Sequence, residues 1–187
     1  MRWTVHGERP IYESEWVRLV LTDVEVPAVG EHPPRRFDHH VVRSPAPAAG
    51  TVVVDLVDGV ESVLLLWRHR FITDTWGWEI PAGGADPGES SADAARREVR
   101  EESGWSIDES ELVHLIDYPP VNGLSDFRFD LFFARGARHL GEPSDPSESE
   151  RVEWLPVEQV SELVRSGAVT DGMSVTALSW SLAFGYL

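Results

Sequence analysis

Apolar and polar residues alternate with a period of two in several stretches of the chain, the mark of half-buried strands. Trp16 to Val26 (W-V-R-L-V-L-T-D-V-E-V) shows it best, and Phe37 to Val42 is a shorter second case. Thr51 to Leu56 and Ser62 to Arg68 are β-rich runs on either side of Asp58-Gly59, a pair that favours a two-residue hairpin turn. Trp76 to Ile80 reads as a short strand ended by Pro81, and Leu112 to Tyr118 and Phe127 to Ala134 as two more. The pattern changes to a helical one after Ser90 and Ser91, either of which can cap a helix that ends before Gly104. Gly141 to Glu150 is polar and turn-rich, and its Pro143 to Glu150 part reads as a solvated surface loop. Val152 to Leu155 is short and apolar, Pro156 to Ser166 reads as a helix closed by Gly167, and residues 172 to 185 suit a final helix. Strands on both sides of one central helix, with helices at the C-terminus, predict an α+β or α/β sandwich.

Composition narrows the class. A chain of 187 residues with 42% hydrophobic content fits one globular domain. It has no run of about 18 apolar residues, and its first residues (M-R-W-T-V-H-G-E-R-P) lack the apolar core of a signal peptide. The absence of cysteine excludes disulfides, thiolate metal sites and thiol nucleophiles. The cytoplasm is then the expected compartment by elimination. A net charge of −16 argues against general nucleic-acid affinity, because phosphate backbones need basic footprints. A small phosphorylated ligand remains open if metal ions supply the positive charge.

Candidate chemistry concentrates between Gly83 and Trp105. Glu98, Glu101 and Glu102 lie within little more than one helical turn, so their carboxylates share one side. Like charges at this spacing disfavour a helix by a few tenths of a kcal/mol per pair. A solvated acidic face is one reading. A hard divalent cation is the other, since Mg²⁺ takes oxygen ligands and often shares them with substrate phosphates.

The longer spacing decides between them. Gly83, Glu89, Arg97, Glu98, Glu101, Glu102 and Gly104 fit G-x5-E-x7-R-E-U-x-E-E-x-G-U at all seven fixed positions, with Val99 and Trp105 at the bulky apolar places. The chain therefore resembles the Nudix hydrolases. That resemblance implies an α/β/α sandwich with a mixed sheet, and a metal-dependent enzyme using Mg²⁺ or Mn²⁺. Glu98 and Glu102 match the usual metal ligands and Glu101 an auxiliary one. Arg97 matches a residue that orients the glutamates, often with Glu89. The chemistry such parts suit is hydrolysis of a diphosphate linked to another group.

Outside the box, L-L-L-W-R-H-R followed by W-G-W-E-I-P-A-G is similar to the ADP-ribose pyrophosphatase branch, as are Pro119 and Pro120 downstream and the S-G-A-V-T-D-G-M-S-V-T-A-L segment. In that branch the carbonyl of the residue at Ala82 commonly completes a metal site. Arg68 and Arg70 match its arginine pair at a spacing one residue shorter, and Glu79 matches the Glu of E-x-P-A-G; the resemblance implies that these residues, with Trp78, contact the substrate. For Arg70, phosphate or ribose contact competes with a structural ion pair, and for Trp78, base stacking competes with core packing. The run P-V-N-G-L-S-D-F keeps Asp126 but has Phe127 where the branch often carries a glutamate base. Asp126 or Glu101 could take that role.

The expected function is hydrolysis of the diphosphate linkage in a nucleoside diphosphate derivative, ADP-ribose or another nucleotide sugar first. A nucleoside triphosphate or oxidised-nucleotide hydrolase, and a nucleotide-sugar-binding domain without turnover, are the alternatives. Residues 1–44 read as an N-terminal β extension and 45–187 as the hydrolase domain. Val17, Leu19, Leu21 and Val24 are too many apolar residues for an extension to leave exposed, and in the ADP-ribose branch such a sheet commonly packs on a second subunit. A two-fold homodimer is therefore expected.

Overall fold

The computed structural model describes residues 1–144 and 148–187. The chain divides into two compact units, Met1–Ala46 with Pro119–Arg128 and Pro47–Tyr118 with Phe129–Leu187.

The first unit is a three-stranded antiparallel sheet of β1 (Thr4–Glu13), β2 (Arg18–Val26) and β3 (Arg35–Arg43), in that order. Alternation on β2 is clean: Val20, Thr22 and Val24 are buried and point to one face. The pattern did not anticipate β1. Gly7 and Pro10 interrupt it, and the register against β2 is irregular at those places, between Val5 and Gly7 and between Pro10 and Tyr12. An edge strand tolerates a proline that a central strand would not. Pro119–Arg128 belongs to this unit through β3. The Val42 N–H donates to the Leu124 carbonyl at 2.9 Å.

The second unit holds β4 (Ala48–Val57), β5 (Val60–Arg70), β6 (Thr75–Glu79), β7 (Ala82–Gly84), α1 (Ser91–Ser103), β8 (Trp105–Ser106), β9 (Leu112–Tyr118), β10 (Phe129–Arg135), β11 (Arg138–His139), β12 (Arg151–Pro156), α2 (Val160–Ser166) and α3 (Gly172–Ala183). Its main sheet runs β12-β5-β4-β10-β9, with β6 beside β5 and β7 beside β4; β8 and β11 form a separate pair. Within the main sheet β4 and β10 are parallel and the other pairs antiparallel, so the sheet is mixed. Asp58 and Gly59 close the β4–β5 hairpin with φ of 51° and 82°, the left-handed pair that a two-residue turn of this kind requires.

Adjacent residues of β4 show the layering. Ala49 packs with Ala94 and Ala95 of α1. Gly50 faces the other way, where an added Cβ would stand 2.6 Å from Met173 Sδ of α3. Helices thus cover both faces of this sheet, an α/β/α sandwich of the α+β class. Val53, Leu64, Val99, Ile107 and Ala134 form the core on the α1 side. The segment expected as one helix from Pro156 is a 3-10 turn, Val157–Gln159, leading into α2. No helix among the described residues is long and apolar enough to cross a membrane.

Candidate active site

The box forms β7, a loop and α1. Ser90 caps the helix, its Oγ accepting the Asp93 N–H at 3.1 Å, and Gly104 ends it at φ 74°. Ala95, Val99 and Glu102 recur at helical spacing and all are buried. A carboxylate on such a stripe needs partners for the hydration it loses. Glu102 has two: Oε1 accepts from Arg68 Nη2 at 2.6 Å and Oε2 from the Ala82 N–H at 2.8 Å. Burial nonetheless pushes its pKa up to about 8, against the pull of Arg68.

Glu98 lies one turn earlier, against Gly83. A Cβ on Gly83 would meet Glu98 Oε1 at 2.1 Å, so a glycine is what lets the carboxylate sit there. Burial raises the pKa of Glu98, with the Arg97 bond opposing. Arg97 gathers the rest of the cluster. Its Nε and Nη2 donate to the two oxygens of Glu89 at 2.9 and 3.0 Å, and its Nη1 to Glu98 Oε1 at 2.7 Å and Glu101 Oε2 at 3.1 Å. Nη2 also reaches the Gly84 carbonyl at 2.8 Å. The Arg97 guanidinium holds Glu89 below the usual carboxylate range, and the Glu89 bond in turn raises the Arg97 pKa. Arg100, exposed, donates a further bond to Glu101.

The other expected site residues fall in distinct surroundings. Arg70 grips Glu79 with two groups, Nε to Oε1 at 2.9 Å and Nη2 to Oε2 at 2.5 Å; Glu79 is buried and Arg70 is half-exposed. Trp78 is buried, its ring 5.1 Å from that of Trp67 and 5.1 Å from the Arg151 guanidinium, and its backbone N–H donates to the Ala168 carbonyl. Core packing is what the structure shows of that side chain. Asp126 belongs to the first unit. There its Oδ1 accepts the Ser44 N–H at 3.0 Å and its Oδ2 accepts from Arg43 Nη1 at 3.1 Å.

A family model, the NUDIX domain, matches residues 46–172. The chain belongs to the Nudix family. It is 36% identical over 180 residues to the CMP-5'-(N-acetyl-N-hydroxy-3-aminopropyl)phosphonate hydrolase of Streptomyces rubellomurinus, across 96% of this chain and 82% of that one. It is 27% identical over 176 residues to the ADP-ribose pyrophosphatase of Bacillus subtilis, across 93% and 89%. The crystal structure of an ADP compounds hydrolase shares the fold with a TM-score of 0.75 at 19% identity, covering 100% of this chain and 98% of that one. The protein is a Nudix hydrolase.

One member of the Nudix cluster escaped the sequence reading. Glu148, on the run expected as a solvated loop, places its Oε2 3.8 Å from Arg68 Nη2; its charge helps to raise the pKa of Glu98, and its hydrogen bond to Glu102 helps to raise that of Glu102. Residues 145–147 of that run lie outside the described residues. The chain after it is fixed by the Glu150 N–H donating to the Trp67 carbonyl at 2.9 Å. Only the β5–β12 pairing, invisible to local periodicity, would have placed Glu148 here.

Glu89, Glu98, Glu101, Glu102 and Glu148 thus face Arg68, Arg97 and Arg100, leaving surplus negative charge and hard oxygen donors. That donor set fits a hard divalent cation. Of the three box glutamates of α1, Glu98 and Glu101 share Arg97 Nη1, while Glu102 turns to Arg68 and the Ala82 N–H. Among the described residues, the group of three ligating side chains whose donor atoms lie within 4.8 Å of one another is His114, Asp117 and Asp130, where Ser91 Oγ also bonds Asp130.

Proposed function

We propose that this Nudix hydrolase cleaves the diphosphate linkage of a nucleoside diphosphate derivative in a Mg²⁺- or Mn²⁺-dependent reaction, with ADP-ribose or another nucleotide sugar as the favoured substrate. The observation that carries the reading is the carboxylate cluster of α1, held by Arg97 and Arg68 and backed by Gly83. Glu98 and Glu102, with Glu101 and the Ala82 carbonyl, would hold the cation. Bound there, it would shield phosphate oxygens and favour ionisation of water. The chain's own part is orientation: Arg97 fixes Glu89, Glu98 and Glu101, and Arg70 with Glu79 offers a half-exposed guanidinium on a buried anchor for a phosphate or ribose. The base is drawn from Glu101 and Glu148 of the cluster, while Asp126 is a candidate on sequence similarity alone.

The Streptomyces relative favours a second substrate, a cytidylyl group joined to a phosphonate. Both substrates present a nucleoside monophosphate joined through an anhydride oxygen to a second phosphorus. Purified enzyme incubated with Mg²⁺ and a panel of nucleotide sugars, a CMP-linked phosphonate and nucleoside triphosphates separates these readings by product chromatography. Release of a nucleoside monophosphate from ADP-ribose supports the first, and preference for the cytidylyl compound the second. Turnover of triphosphates alone overturns both. Tight binding of a nucleotide sugar without cleavage would point to a sensor.

The first unit supports a homodimer. Every residue of β1 is exposed, and Trp3, Val5, Ile11, Tyr12 and Trp16 leave a large apolar surface on or beside that strand. Light scattering at micromolar concentration decides it: a 20.9 kDa species would exclude the dimer.

A further inference from the structure

We propose that Arg68 is a positioning residue for Glu102, fixing that carboxylate against the backbone of Ala82 and tying it to the segment at Ser149; this rests on the reading of Glu102 as a metal ligand.

Arg68 is the one arginine buried among the described residues, its side chain 5% exposed, so it offers a substrate almost no surface. This departs from the substrate contact expected of it by resemblance. It shares the α1-facing side of β5 with Leu64, whose contacts include Val99. A leucine or valine at position 68 would continue that apolar face. The arginine is instead an expensive choice: its Nε is buried without a hydrogen-bond partner. Burying an ion pair adds little to stability compared with apolar residues of similar size. Fold stability alone therefore does not explain it.

The guanidinium gives geometry. Nη2 donates to Glu102 Oε1 at 2.6 Å and to Ser149 Oγ at 3.1 Å, while the Ala82 N–H holds Glu102 Oε2 at 2.8 Å. Both oxygens of Glu102 are thus fixed, one from β5 and one from β7. The same nitrogen joins the helix to the strand that follows Ser149, since β12 pairs with β5 beside it, Arg151 opposite Trp67. Groups that orient a ligating carboxylate commonly change metal affinity about 10–100-fold when removed. A counter-effect exists, because a cation beside Glu102 also repels a metal ion. The two effects have opposite signs, which makes the proposal decidable.

The experiment is calorimetric titration of the metal-free protein with Mn²⁺, alongside kcat and KM for the substrate identified by the panel. Arg68→Gln should weaken Mn²⁺ binding about 10–100-fold and lower kcat with KM for the nucleotide little changed, and Arg68→Lys should recover part of the loss because lysine keeps the charge but not the planar fork. Ser149→Ala leaves every charge in place and should weaken Mn²⁺ binding to a smaller extent. Unchanged or tighter Mn²⁺ binding by Arg68→Gln overturns the proposal. So does a raised KM at wild-type Mn²⁺ affinity, which would return Arg68 to substrate contact. If Arg68→Gln does not fold by near-ultraviolet circular dichroism, Arg68→Lys decides: weakened binding supports the proposal and wild-type binding overturns it. A wild-type protein that binds Mn²⁺ but cleaves none of the panel defeats the functional reading and leaves the affinity comparison to judge Arg68. A wild-type protein that binds no Mn²⁺ overturns the positioning role as well.

Discussion

Gly83→Ala separates the box geometry from the fold. The new Cβ would fall 2.1 Å from Glu98 Oε1, 2.3 Å from its Cδ and 2.6 Å from Oε2, where ordinary contact begins at 3.4 Å. The carboxylate must therefore retreat by about 1.3 Å, the gap between the closest of these distances and ordinary contact. The backbone itself need not move, because Gly83 does not adopt a positive φ and an alanine fits its short strand. The clashing atoms sit at the end of a flexible side chain, so the stability change should stay near 1 kcal/mol or less. Function should suffer far more. A misplacement of about 1 Å in a catalytic group can lower turnover about 10²-fold, and the retreat also breaks the 2.7 Å bond from Arg97 Nη1. The assay compares kcat/KM at saturating Mg²⁺, Mn²⁺ affinity by calorimetry, and the thermal midpoint. The expected result is about a 10²-fold loss of kcat/KM, weakened Mn²⁺ binding and a midpoint within a few degrees of wild type. Wild-type activity in a folded Gly83→Ala protein would refute the argument that Glu98 must occupy this spot.

Arg97→Lys should lose about 10–100-fold in activity, because one ammonium cannot bridge Glu89, Glu98, Glu101 and the Gly84 carbonyl together; steady-state kinetics near wild-type values would contradict it. In metal-free protein, the raised pKa of Glu102, about 8, means the folded state keeps a proton that the unfolded chain releases near 4.5, so this group's contribution to stability falls as pH rises from about 4.5 to 8. Urea unfolding across that range should show the decline, and Glu102→Gln should flatten it while abolishing most turnover; an unflattened profile would show that another group is responsible. Glu89 has the opposite sign: its depressed pKa stabilises the fold above the unfolded carboxylate pKa, and that contribution disappears as pH falls through the lower folded value. Glu89→Gln should therefore reduce the acid-induced loss of stability, and an unchanged acid limb would exclude the Arg97 pairing as its source. Among Glu101→Gln, Glu148→Gln and Asp126→Asn, the base should stand out by a kcat loss of about 10²–10⁴-fold with little change in KM; equal, small effects in all three would mean that no single side chain serves as the base.

Much of the fold was legible because its signals are local. Alternation marked β2, β-rich runs marked most of β4 and β5 and the length of β9, and cap chemistry bounded α1 at Ser90 and Gly104. Asp58-Gly59 announced its hairpin because only a left-handed pair closes it. The seven fixed positions of the box named the family because its carboxylates, and the arginine that bonds three of them, sit at a set spacing on a loop and one helix. β1 was not legible: Gly7 and Pro10 break its period, and its strand character comes from pairing with β2.

What the tertiary structure alone decided is the identity of partners distant in sequence. Nothing local says that β10 runs parallel to β4, or that Pro119–Arg128 associates with β3. The site shows the same limit. Sequence resemblance makes Arg68, 34 residues before Glu102, a substrate contact, and local pattern makes Glu148 solvated surface; the structure places both by the box carboxylates because β5 passes beside α1 and β12 pairs with β5. Local periodicity reports which face of an element is apolar, since that depends on neighbours three or four residues away. Which charge meets which depends on sheet order and register, and those are set by burying the faces together.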